Sequence, residues 1–203
     1  MAYRATAQTE SRKAQVHENI LKAAKALVSE SGFRQLSIQA VAERADIATG
    51  TIYRYFTSKA ALCVALFQRA TEREIQQVQE AARVEGSCTH KLEHALTIFA
   101  ERAMQNPTLA YALIAEPVDP ELDAARLEYR KAWADSFSSL IRSGIRKGEF
   151  LAQPEQLCAS AMVGAMAEAL ITPDSAKLSA AQRKKQIQHL VQFCLRAVVK
   201  PGA

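Results

Sequence analysis

Apolar residues recur at helical spacing along almost the whole chain after residue 10, and no alternating strand pattern holds for more than a few positions. The first stripe, Ile20, Ala24, Leu27 and Val28, predicts a helix that starts near Ser11 and is closed by Gly32, a residue suited to the left-handed backbone of a helix end. Phe33 and Leu36 then fold back onto the core. Ser37 is an N-cap for a second helix burying Ile38, Val41 and Ala42, and the turn Ala45-Asp46-Ile47 leads to a short helix from Thr49 to Phe56. Ser58 caps a long helix to about Arg83, and another runs from Thr89 to Gln105, where Asn106-Pro107 breaks it. A short helix over Leu109–Ala115 ends at Glu116-Pro117. A long one follows from Glu121 to about Lys147, closed by Gly148. Pro154 opens a helix through Ile171, stopped by Thr172-Pro173-Asp174, and the last helix spans Ala180 to Val199. Residues 1–10 read as a frayed, mildly basic tail. The expected fold is all-α, with about nine helices and no internal repeat.

Within this pattern, Ser37 to Lys59 is two short helices, a tight turn and the capped start of a third helix. That is the layout of a helix-turn-helix, which places one helix in the DNA major groove. The middle turn residue needs a left-handed backbone, which Asp46 tolerates better than most side chains. Ile47 plugs the angle between the helices, and Ile52 and Phe56 face inward. Thr49, Thr51, Tyr53, Arg54 and Tyr55 are left for the other faces. Threonine offers a hydroxyl to phosphate and a methyl to thymine, arginine reads guanine or neutralises phosphate, and tyrosine hydroxyls reach phosphate oxygens. Gly50 costs a helix about 1 kcal/mol against alanine, which suggests close approach of another molecule to the backbone. Lys59 stands where an ammonium group and a helix N-terminus share one phosphate. The same pattern also fits a helical hairpin packed on a third helix with its polar residues merely solvated. Tyr53-Arg54-Tyr55-Phe56 equally fits an aromatic cluster at the core edge.

Charge placement favours a nucleic-acid partner. Residues 1–60 hold nine Lys/Arg against five Asp/Glu, whereas the remainder holds seventeen against sixteen. The basic excess therefore lies in the third that carries the helix-turn-helix. The 203 residues make one large domain or two small ones, and an apolar content of 49% is enough for a core. The longest nearly uncharged stretch, Leu157 to Ile171, is interrupted by Ser160 and Glu168 and is too short to span a membrane. The first ten residues lack the apolar core of a signal peptide, so a cytoplasmic location is expected. Cys63, Cys88, Cys158 and Cys194 have no metal-ligand spacing and read as small buried hydrophobes, with a redox sensor as the other option.

The run Asp46-Ile-Ala-Thr-Gly-Thr-Ile-Tyr-Arg-Tyr-Phe-Thr-Ser-Lys59 resembles the signature of the tetracycline-repressor (TetR) family of bacterial transcriptional regulators. There the usual run is Gly-Val-Ser-x-Gly-Thr-Leu-Tyr-x-(His/Tyr)-Phe-x-Ser-Lys-(Glu/Asp). The likeness covers residues 11–66, including Gly32-Phe33 and Leu36-Ser37-Ile38. Three positions depart from it: Asp46 replaces the turn glycine, Ala48 the capping serine and Ala60 the acidic residue. Loss of the serine cap is expected to weaken the recognition helix by about 1 kcal/mol. The resemblance implies DNA contacts at Thr49, Thr51, Tyr53, Tyr55 and Lys59, with Gln39 on the preceding helix. Gly50 and Arg54 complete the expected interface, and Arg4, Arg12 and Lys13 extend it through the tail.

By the same resemblance, residues 1–58 are a DNA-binding domain and residues 59–203 a domain that binds a small effector and dimerises. Helices 154–171 and 180–199 are the expected homodimer face. Ala159, Ala161, Gly164, Ala165 and Ala167 would allow close approach, and Met162, Met166, Leu190, Val191, Phe193 and Leu195 would supply bulk. An effector pocket is expected among the helices between Thr89 and Lys147, with Phe99, Met104, Tyr111, Trp133 and Phe137 as its apolar surface. Arg102, Glu116 or Arg130 would supply its polarity, although such a stripe also fits ordinary core. The implied protein is a homodimeric repressor that binds a pseudo-palindromic double-stranded operator and is released by an apolar or aromatic ligand; an activator on the same scaffold, or a helical ligand- or metal-binding protein, is the alternative. No cofactor, metal or membrane is expected. His90-Lys-Leu-Glu-His94 matches a zinc-protease pattern, but no third ligand follows at a suitable place. With no phosphate-cradling glycine loop and no nucleophile triad, the chain reads as a regulator and not an enzyme.

Overall fold

The computed structural model describes residues 7–171 and 177–200. Nine α-helices occur among them: α1 (Ala7–Ser31), α2 (Ile38–Arg44), α3 (Thr49–Tyr53), α4 (Lys59–Ala81), α5 (Cys88–Gln105), α6 (Pro107–Ile114), α7 (Pro120–Arg146), α8 (Glu155–Leu170) and α9 (Ala180–Arg196). Arg4 and the stop at Thr172-Pro173-Asp174 lie outside the described residues. The all-α expectation holds, and each expected helix is present.

The helix ends differ in ways that local chemistry explains. The first helix starts at Ala7, so the second half of the expected tail is ordered as helix. The Asn106-Pro107 break is also a start: the Asn106 side chain accepts from Leu109 N at 2.9 Å, and Pro107 fits a first turn that needs no N–H. Pro120 likewise stands in the first turn of α7, there without a side-chain cap from Asp119. At the other end, α3 stops at Tyr53 and not Phe56. Arg54 and Tyr55 donate to Thr51 and Ile52, three residues back, and tighten the final turn. The last helix stops at Arg196 because Val199 leaves it to pair antiparallel with Phe150. Leu151 N donates to Val198 O at 2.8 Å in that bridge.

Packing forms two hydrophobic clusters that do not follow chain order. One gathers Ile20, Val28, Phe33, Val41, Ile52, Phe56, Leu62 and Phe67, together with Ala112 of α6 and Leu122 and Ala125 of α7. The other joins the end of α4 at Val78 to α5, the rest of α7, α8 and α9. Leu27 and Ile38 prove half-buried at the edge of the first cluster. In the second, Ala159, Met162, Met166, Val191 and Leu195 are buried within the subunit, whereas Leu157 and Phe193 are 67% and 63% exposed. No helix among the described residues is long and apolar enough to cross a membrane.

Two points of this packing are testable. A Cβ on Gly144 of α7 would stand 2.2 Å from Cδ2 of the buried Phe150 ring. Gly144→Ala is therefore expected to lower stability by about 1–3 kcal/mol, read from the urea midpoint, although alanine is the better helix former. Burial pushes the thiols of Cys63 and Cys194 up to about 11. Thiolate forms only as pH rises through that value, so at pH 8 both stay protonated and inert. An aromatic disulfide reagent at pH 8 is expected to modify half-buried Cys158 first and to reach Cys63 and Cys194 only on unfolding.

Candidate nucleic-acid interface and effector cavity

The helix-turn-helix is built by three local devices. Ser37 caps α2 by accepting from Ala40 N at 3.1 Å. Asp46 takes φ 54, the left-handed turn that its position requires. Ser58 caps α4 by accepting from Ala61 N at 3.0 Å, which sets Lys59 in the first turn. No side chain caps α3 at Ala48. A bidentate pair, Arg44 to Glu30 at 2.8 and 3.1 Å, fastens the end of α2 to the end of α1. His17 stacks on Phe56 with ring centroids 5.0 Å apart. These two contacts had no local signal in the chain, since each joins residues far apart in sequence.

The expected contact residues differ in exposure. Gln39, Thr49, Gly50, Tyr53 and Arg54 are exposed, and Thr51, Tyr55 and Lys59 are half-buried. Gln39 Nε2 donates to Glu43 at 3.1 Å. The Tyr55 ring packs at the margin of the core, 6.2 Å from His17. No protein atom lies within 4 Å of a Cβ built on Gly50, so nothing inside the chain requires glycine there.

A cavity of about 650 Å³ opens between α4, α5, α6, α7 and α8. Phe99 and Trp133 meet edge to face in its wall, at 4.8 Å, and Leu109, Leu113, Ile114 and Val163 extend the apolar surface. Its cations differ in how they are neutralised. Arg102 pairs with Glu74, a contact that raises its pKa. Arg126, 7% exposed, is held by backbone carbonyls and Asp123, and burial lowers its pKa. Arg130 is exposed at the rim and has no ion pair among the described residues.

Of the five residues expected to line a pocket, only Phe99 and Trp133 line this cavity. Met104 and Phe137 are buried in the core behind the wall, and Tyr111 lies 44% exposed on α6 away from it. Glu116 is not a cavity group either. Its carboxylate accepts from Phe33 N at 2.7 Å and Arg34 N at 3.1 Å, just past the end of α1. The cavity's Thr71, Arg126 and Leu113 were missed because helical periodicity does not tell a cavity wall from a core. His94 Nδ1 lies 2.9 Å from Ala81 O at the end of α4. Among the described residues no group of three or more His, Cys, Asp or Glu is arranged to hold a metal.

Residues 20–66 match the family model of the bacterial regulatory proteins of the tetR family. This segment, α1 from Ile20 through the start of α4, is the DNA-binding segment of a tetR-family regulator. The transcriptional repressor KstR of Mycolicibacterium smegmatis is 36% identical over 119 residues, which cover 59% of this chain and 56% of that protein. The chain thus spans about half the length of the KstR relatives it matches. The fatty acid metabolism regulator protein of Bacillus subtilis is 26% identical over 137 residues, covering 64% of this chain and 68% of that protein. The fold is also that of FadR from Bacillus subtilis, solved in complex with stearoyl-CoA. The TM-score is 0.76 at 20% identity, covering 88% of this chain and 97% of that one.

The TetR-family pattern clarifies the departures in this chain. Asp46 performs the left-handed turn in place of glycine, and α3 does without a side-chain cap. Gly50, unconstrained from within, separates stability from recognition. Gly50→Ala is expected to leave the fold as stable or up to about 1 kcal/mol more so. Its affinity for a selected operator should fall. Thermal melting and fluorescence anisotropy on the same preparation check both halves.

Proposed function

We propose that the chain is a homodimeric transcriptional repressor that binds a pseudo-palindromic operator and is released by a long-chain acyl ligand. The observation that carries the proposal is the exposure of polar residues along α2 and α3. There Gln39, Thr49, Gly50, Tyr53 and Arg54 are exposed around a buried Ile52, with Lys59 at the capped start of α4. Two such units on a two-fold axis suit half-sites one helical turn apart. In this division of labour residues 1–58 read DNA, and residues 59–203 bind the effector and the second copy.

Dimerisation through α8 and α9 is supported by the exposed Leu157 and Phe193, and by Ala161 and Gly164, with open space above Gly164. A largely apolar cavity of about 650 Å³, within the roughly 300–1,000 Å³ of small-molecule sites, supports a hydrophobic effector. The unpaired Arg130 at its rim favours one with an anionic head. The stearoyl-CoA bound to the FadR neighbour has that combination. A cytoplasmic location agrees with a partner that is chromosomal DNA.

Selection from random duplexes is expected to return a two-fold motif bound by a dimer, with reporter output falling when the protein is present. Lys59→Ala should weaken binding to all sequences alike and lower the slope of log affinity against log salt by about 1. Selection without a two-fold motif, or a Lys59→Ala protein with unchanged salt slope, would count against the assignment.

A further inference from the structure

The wall of the cavity contains two hydrogen-bond donors that the protein leaves unspent. The first belongs to Arg126. A guanidinium has five N–H groups, and four of these are committed. Nε donates to Leu113 O at 3.2 Å, Nη2 to Ala112 O at 2.6 Å, and Nη1 to Glu116 O at 2.6 Å and Asp123 Oδ1 at 2.9 Å. One Nη2 N–H remains. The second is the hydroxyl of Thr71 on α4, 5% exposed and without a partner. Leaving a buried donor unpaired is costly, and two such donors in one largely apolar wall call for an acceptor brought from outside.

Arg126 also holds the structure that fastens the DNA-binding head. Ala112 and Leu113 are in the last turn of α6, whose carbonyls have no helical partner, and the guanidinium supplies one. Its third carbonyl is that of Glu116, the residue whose side chain grips Phe33 N and Arg34 N. The grip is close: a Cβ on Gly32 would stand 2.7 Å from Glu116 Oε1. A cavity-wall cation and the loop between α1 and α2 are therefore one residue apart through bonds.

We propose that Arg126 and Thr71 take a carbonyl or carboxylate oxygen of the effector. Turning the guanidinium to seat its free Nη2 N–H on that oxygen draws the other N–H groups off the α6 carbonyls and, through Glu116, weakens the hold on the head. The inference rests on the effector reading above and adds the ligand group that triggers release. Glu116 is a positioning residue in this scheme and does not touch the ligand.

The probes are stearoyl-CoA, stearate and S-octadecyl-CoA, a thioether that differs from the first by lacking the carbonyl. Stearoyl-CoA or stearate should bind, release the operator and speed amide hydrogen exchange at Phe33 and Arg34. The thioether should bind about tenfold or more weakly and leave those two amides protected. Release at lower concentration by stearate assigns the free acid as the source of the oxygen, and the reverse order assigns the thioester. Thr71→Val should narrow the gap between thioester and thioether. Glu116→Gln should keep ligand affinity but shrink the ligand-induced change in operator affinity about fivefold or more. The exchange measurement on the unmodified protein carries the test if that variant fails to fold. Equal release by thioether and thioester, or release with Phe33 and Arg34 still protected, would overturn this inference while leaving the effector reading intact. If none of the three probes raises the melting temperature, the effector reading itself fails.

Discussion

Two helices, α4 and α7, run through both hydrophobic clusters, and α4 is the one that carries the start of the helix-turn-helix unit into the second. Its 23 residues make a rod of about 34 Å. Leu62, Leu66 and Phe67 are buried with the first three helices, and Val78 near the far end is buried with α5, α7, α8 and α9. Each large apolar side chain so buried contributes about 1.5–3 kcal/mol, so neither end of the rod is free to move without losing core. The segment between them, from Phe67 to Val78, is one wall of the cavity. The cavity therefore lies against an element that the two cores share.

The second constraint is that α6 and the start of α7 pack with the head, although they follow α5 in the chain. Ala112, Leu122 and Ala125 are buried beside Phe33 and Leu36. The cavity floor and the underside of the head are thus two faces of the same short helix. This arrangement puts a buried guanidinium within an apolar region, which is tolerable only because carbonyls and Asp123 surround it. The polar link and the apolar contact reinforce each other, and disturbing either one reaches α1.

Much of this was legible in the chain. Capping residues and periodicity located the nine helices, because Ser37, Ser58, Gly32 and Gly148 act within a turn of their own position. Asp46 announced its left-handed backbone for the same local reason. What was not legible depends on contacts across long separations. The carboxylate of Glu116 meets residues 82 and 83 positions earlier, and no periodic pattern encodes that distance. Met104 and Trp133 have equal claims as apolar helical residues, yet one faces the core and the other the cavity. Only the angles between helices decide which. Ala48 shows the converse, since its lack of a cap was readable but the shortness of α3 was not.

Gly32 gains a further meaning from its place beneath the head. It touches neither the outward side of α3 nor the cavity, and its φ of +80 already disfavours a side chain. Any Cβ there would also displace the Glu116 carboxylate. A substitution there acts on the joint between the head and α6, not on either surface.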